Sequence, residues 1–221
     1  MKADLIALDL EMRACVRCAQ VLQKHPVNPP RDASPVVPRP VFSPPMRAPL
    51  MLVGQAPGIT EYGTGTPFSG QAGGGARALF VDCGLRESEF DRAVYQTSAA
   101  KCFPGRRLNA ARWEDRPPCA AMLQNCGGFL RRQIEMVSPV VIVAMGGVAI
   151  KMMDSMRSLP SRSVMKAAGT AEKWDSKLLV HIAHTSGGNR FLNKPENKAR
   201  QQRAKDIIRE EIVRLRAENR L

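Results

Sequence analysis

Aromatic, histidine and acidic residues are all scarce in this chain. Of its 221 residues 5% are aromatic, three are histidines, and 20 acidic side chains face 33 basic ones. So few aromatics argue against a broad stacking platform for single strands. No apolar run reaches the roughly 20 residues that a bilayer-crossing helix needs. The longest, around 140–150, is interrupted by Gly146 and Gly147. The opening residues, Met-Lys-Ala-Asp-Leu, lack the layout of a signal peptide. A soluble, cytoplasmic protein without a membrane partner is expected. Such a chain does not need disulfides, so its six cysteines are read first as metal ligands or buried thiols. The glycine-rich loop near residue 54 carries neither Gly-Lys-Ser/Thr nor GxGxxG, which removes the commonest nucleotide-binding loops.

What is present narrows the field further. Apolar residues make up 44% of the chain, enough for a real core in one or two domains. The net charge is +13, which favours a polyanionic partner, most simply nucleic acid. Charge alone does not separate this from a ribosomal, membrane-surface or other basic protein.

Periodicity predicts an α/β protein. Residues 3–24 read as a helix, with Leu5, Leu8, Met12, Cys15 and Val16 at helical spacing. Residues 25–49 are dense in proline, so no regular element is expected there; we read them as a crossing segment within one domain spanning 1–221. Strands are predicted at 50–53, 94–99, 140–144 and 178–183. Helices are expected near 74–82, 119–137, 147–156 and 196–219, with an irregular basic segment over 103–118. Four apolar strands separated by helices imply a single domain with a central four-stranded parallel sheet flanked by helices. Ligands bind such sheets beyond the carboxyl ends of the strands. Those ends are unusually rich in small and polar residues: Gly54-Gln55-Ala56-Pro57-Gly58 after the first, Thr97 to Cys102 after the second, His184 to Asn189 after the fourth.

Cys15-Val-Arg-Cys18 is a C-x-x-C pair, the spacing that lets two thiolates reach one metal centre. It needs two further ligands. Cys102 with either Cys119 or Cys126 supplies them.

The ordered motifs carry a resemblance. The pair Cys15 and Cys18, GQAPG at 54–58, TPFSGQAG at 66–73, TSAAKC at 97–102, the segment from Cys126 to Gly146 and HTSGGNRFLN at 184–193 resemble the uracil-DNA glycosylase superfamily. The likeness is nearest to the iron–sulfur branch that includes family 4. It implies a DNA repair enzyme that flips uracil from the stack and hydrolyses its N-glycosidic bond, leaving an abasic site. It also implies a [4Fe–4S] cluster on Cys15, Cys18, Cys102 and Cys126. Helix alignment favours Cys126, whereas Cys119 lies nearer the usual spacing from Cys102; zinc is a substitute metal in a recombinant sample. Cys83 reads as structural.

The same resemblance assigns the site. Gly54, Gln55, Ala56, Phe68, Ser98 and His184 are expected to hold uracil, Phe68 by stacking and a neutral His184 by donating to the developing anion. The resemblance gives His184, Glu61 and Gln55 as the catalytic set, with Glu61 the candidate for organising water and an ordinary cap or salt-bridge residue as the alternative for it. Ser69, Gly70, Arg106, Arg107, Ser186, Gly187, Asn189 and Arg190 are expected to contact DNA, and a monomer is expected. Three departures stand out. Gln55 replaces a frequent Glu and cannot act as a base. Ser98 replaces the usual uracil-reading Asn. Thr185 replaces a Pro. These leave two alternatives, a glycosylase for another deaminated base such as hypoxanthine or xanthine, and a catalytically weak uracil-DNA-binding protein. An electron-transfer role lacks any second cofactor motif.

Overall fold

Four short buried runs, three of them rich in β-branched and long aliphatic residues and the fourth Val-Tyr-Gln-Thr-Ser, build the centre of the molecule. In the computed structural model, which describes residues 2–185 and 190–221, these are β3 (Leu50–Gly54), β4 (Val94–Ser98), β7 (Val141–Met145) and β9 (Lys177–Ile182). They pair in parallel, with Leu50 opposite both Val94 and Val141, and Val141 opposite Leu178. A fifth strand, β8 (Ala171–Trp174), runs antiparallel along β9, so the sheet order is β4-β3-β7-β9-β8. The expected four-stranded parallel sheet is thus corrected to a five-stranded mixed one. Ala171–Trp174 is too short and too charged to stand out as a strand. It needs buried β9 beside it to pair at all.

Side-chain alternation along the strands separates two cores. Leu50, Leu52, Val94, Val141, Val143, Val180 and Ile182 face one layer, with α4 (Gln71–Asp82) and α9 (Pro195–Ala217). Met51, Val53, Tyr95, Ile142, Ala144 and Leu179 face the other, with α6 (Ala120–Val137) and α7 (Gly147–Met156). On α6 the buried residues Met122, Cys126, Phe129, Leu130, Gln133, Ile134 and Val137 recur at helical spacing. Among the described residues no helix is long and apolar enough to cross a membrane.

The remaining elements are short. The expected first helix is two, α1 (Lys2–Arg13) and α2 (Ala19–Leu22), and the C-x-x-C pair spans the break. The proline-rich segment is not wholly irregular. Its start forms a hairpin of β1 (Pro26–Asn28) and β2 (Asp32–Pro35). The basic segment is also a hairpin, β5 (Arg106–Asn109) with β6 (Arg112–Asp115). It turns at Ala110 and Ala111, both at positive φ. The other short helices are α3 (Ile59–Thr64), α5 (Phe90–Ala93) and α8 (Val164–Ala167). All four parallel strands end at one edge of the sheet, and the loops leaving that edge form the site.

Candidate active site

The loop leaving β3 is tied down at both ends. The carbonyls of Gly54 and Gln55 accept the amides of Ala99 (2.9 Å) and Ala100 (3.0 Å), just past β4. Glu61 then joins two loops. Its Oε2 accepts the Gly58 amide at 3.0 Å and its Oε1 the Gly70 amide at 2.8 Å. Both oxygens of the expected water-organising residue are therefore engaged by backbone, as in the helix-cap alternative. The carboxylate still lines the cavity described below.

Phe68 sits at φ 51°, in the left-handed region, and its ring lies over Gly54. A Cβ on Gly54 would stand 2.8 Å from the ring's Cζ, so the close stacking needs glycine. The same holds at the start of α4. A Cβ on Gly73 would fall 1.7 Å from the Phe68 carbonyl oxygen, and one on Gly75 2.6 Å from that of Thr185. Glycine-rich sequence at 73–75 is thus explained at two positions by backbone pressed against backbone.

The loop after β9 leans on that helix. Thr185 Oγ1 donates to the Ala72 carbonyl at 2.8 Å. His184 is half-buried beside Gly146, and burial lowers its pKa below the usual histidine value, which favours the neutral ring at neutral pH. Between these loops opens a cavity of about 420 Å³. Gly54, Gln55, Ala56, Phe68, Ser98 and His184, which the sequence predicts as one set, all line it.

The hairpin β5–β6 closes one side and brings Asp115 and Arg116 to the cavity. Asp115 Oδ2 accepts the Ile59 amide at 3.2 Å. Arg106, expected to touch DNA, is held inside the fold. It donates to Asn28 Oδ1 and to the Trp113 carbonyl, both at 2.6 Å, and its Nε lies 3.5 Å from Asp115. Arg107 is exposed and pairs with Glu114 at 2.6 Å. Ser69 is exposed and donates to the Thr66 carbonyl, while Gly70 caps α4. Ser186, Gly187 and Asn189 lie outside the described residues, as does the side chain of Arg190.

A second, smaller cavity lies behind the β4 end. Cys15, Cys18, Cys102 and Cys126 line it together with Met12, Met122, Phe129 and Lys101. Cys119 is exposed at the N-cap of α6, away from this cavity, and Cys83 is buried against α9. Burial pushes the Cys102 thiol up to about 12 and the Cys126 thiol upward too. Lys101 is wholly buried, which pulls its pKa down to about 7. Its Nζ donates to Thr97 Oγ1 at 2.8 Å and to the Ser98 carbonyl at 2.5 Å. The cysteine cavity and the larger one therefore share a wall at residues 97–102. Among the described residues, no group of three or more His, Cys, Asp or Glu converges as ligands on one ion. Four free thiols spread around a cavity are a donor set suited to a cluster whose irons take one thiolate each.

Residues 40–208 match the family model of the uracil DNA glycosylase superfamily. The chain belongs to this superfamily. It is 31% identical over 137 residues to a type-4 uracil-DNA glycosylase of Archaeoglobus fulgidus, a match covering 61% of this chain and 63% of that relative. It is 30% identical over 169 residues to a type-4 uracil-DNA glycosylase of Thermotoga maritima, covering 73% of this chain and 79% of the relative. A type-5 uracil-DNA glycosylase of Pyrobaculum aerophilum is 33% identical over 116 residues, 47% of each chain. The match to the Archaeoglobus relative spans a little less than two thirds of that protein. For a member of the uracil-DNA glycosylase superfamily, Asp115 is an addition that the sequence does not single out, while Arg116, read from the sequence only as one of the arginines of the basic segment, also reaches the cavity. One acidic pair, Glu114-Asp115, inside a basic segment was the only signal available.

Proposed function

We propose that this protein hydrolyses the N-glycosidic bond of uracil in DNA. One observation carries the reading: a cavity of about 420 Å³ at the carboxyl edge of the sheet that gathers Gly54–Gly58, Phe68, Ser98 and His184. Membership of the superfamily and the named relatives support it.

The base must leave the duplex stack to reach such a cavity. The ring of Phe68, fixed against Gly54, offers its stacking surface. As the bond breaks, negative charge gathers on the uracil ring and positive charge on the sugar. Donors already aimed at the developing anion stabilise the transition state most, because they need no reorganisation. Loop amides after β3 and the neutral imidazole of His184 fill that role. A neutral ring donates without leaving a buried charge behind in the free enzyme. Glu61 acts by fixing the two loops on which Phe68 and the amides ride.

On the same reading Cys15, Cys18, Cys102 and Cys126 hold a [4Fe–4S] cluster. When bound, it supplies four iron–thiolate bonds that tie the α1–α2 break and α6 to the end of β4. A DNA surface is formed by the net charge of +13 together with the exposed hairpin.

The test uses single-site oligonucleotides carrying uracil, hypoxanthine, xanthine or a mismatched thymine, followed by alkaline cleavage of abasic sites. Strand breaks at uracil support the proposal. Breaks only at another deaminated base favour a specificity altered at Gln55 and Ser98, and no breaks at any base favour the binding protein.

A further inference from the structure

Hydrolysis of the glycosidic bond needs a water that is oriented and relieved of a proton. Neither Gln55 nor Glu61 supplies the base. Gln55 is an amide, and both oxygens of Glu61 already receive loop amides. Among the described residues the cavity has one other carboxylate, on a strand that the glycine-rich loops do not contribute. Asp115 ends β6 and folds over the loop. Its Oδ2 accepts the Ile59 amide and stands 2.7 Å from where a Cβ on Gly58 would lie. Its Oδ1 faces Arg106 Nε at 3.5 Å, an ion pair longer than a hydrogen bond. Arg106 is committed instead to Asn28 and the Trp113 carbonyl. The carboxylate is thus aimed by two contacts, keeps lone pairs, and with its side chain 38% exposed remains open to water.

We propose that Asp115 is the general base that activates the attacking water, an assignment that rests on the glycosylase reading above. The water oxygen bonds to the sugar C1′ as the C1′–N1 bond breaks. The bonding pair leaves with the uracil ring, and the water proton passes to Asp115. Uracil then takes a proton from solvent, Asp115 releases its own to solvent, and the products are the free base and an abasic deoxyribose. The groups facing Asp115 are Arg106 from β5, Glu61 from α3, the Ile59 amide and neighbouring Arg116. Burial raises its carboxyl above the ordinary value, helped by Glu61 and opposed by Ile59 and Arg106. A base raised toward neutrality is better matched to water than an ordinary carboxylate.

Asp115→Asn separates this role from a simple clamp, because the amide oxygen still accepts from Ile59. Single-turnover excision is measured across acid to neutral pH, beside binding to an oligonucleotide with non-hydrolysable 2′-fluoro-deoxyuridine. The expected result is a rate lower on the order of a hundredfold, loss of the acid limb of the pH profile, and unchanged binding. A parent-like rate and profile in Asp115→Asn overturns the assignment while leaving the glycosylase reading intact. A parent enzyme inactive on uracil overturns both. If the amide variant does not fold, Asp115→Ala with added formate replaces it. Rate recovery by formate supports the base, and no recovery overturns it.

Discussion

At the scale of single residues, burial decides protonation. His181 is wholly buried on β9, facing Arg162, Glu172 and Asp154, and burial, followed by Arg162, lowers its pKa from 6.5 to about 4. The folded protein therefore keeps it neutral where an unfolded chain would bind a proton. The unfolded state gains that proton as pH falls below about 6.5, so stability is full above that value and declines toward pH 4. Urea denaturation at stepped pH should show this decline, and His181→Gln should flatten it. Gln55 and His184 were legible in the sequence because each follows a recognisable strand, whereas Phe68, beyond α3, and Ser98, the last residue of β4, came from the family resemblance. Asp115 was not legible, because it reaches the cavity through a hairpin whose turn rests on two alanines at positive φ. Pattern reading does not expect alanine there.

At the scale of elements, the strands and long helices follow periodicity closely. The helix at residues 147–156 has the expected bounds. Short pieces escaped: α3, β8 and both hairpins owe their form to neighbours rather than to their own propensity. The glycines of α4 show how an element and a loop constrain each other. Alanine in a helix interior is favoured over glycine by about 1 kcal/mol. A Cβ at Gly74 meets nothing within 4 Å, so Gly74→Ala should raise the denaturation midpoint. At Gly75 the same Cβ meets the Thr185 carbonyl oxygen at 2.6 Å. Gly75→Ala should push the His184 loop away and lower uracil excision, even if helix propensity improves. Equal activity in the two variants would mean that Thr185 does not hold that loop against α4.

At the scale of the whole molecule, one sheet edge serves two cavities. Residues 97–102 form the wall between them, with Ser98 lining the larger cavity, Lys101 and Cys102 lining the smaller, and Lys101 Nζ donating to the Ser98 carbonyl. A cluster behind that wall would brace the larger cavity. Cys126→Ala should therefore lose iron and visible absorbance, whereas Cys119→Ala, on the surface, should keep both; the reverse would move the fourth ligand to Cys119. The four cysteines that line the smaller cavity are the set that the family resemblance implies, with helix alignment favouring Cys126 over Cys119. The central claim is that the cavity at this edge breaks the glycosidic bond. Its most direct measurement is single-turnover excision from a uracil oligonucleotide by the parent and by His184→Ala, with DNA binding measured in parallel. We predict a rate loss on the order of a hundredfold or more with binding retained, because the imidazole acts on charge that appears in the transition state. Excision by His184→Ala at the parent rate would contradict the account.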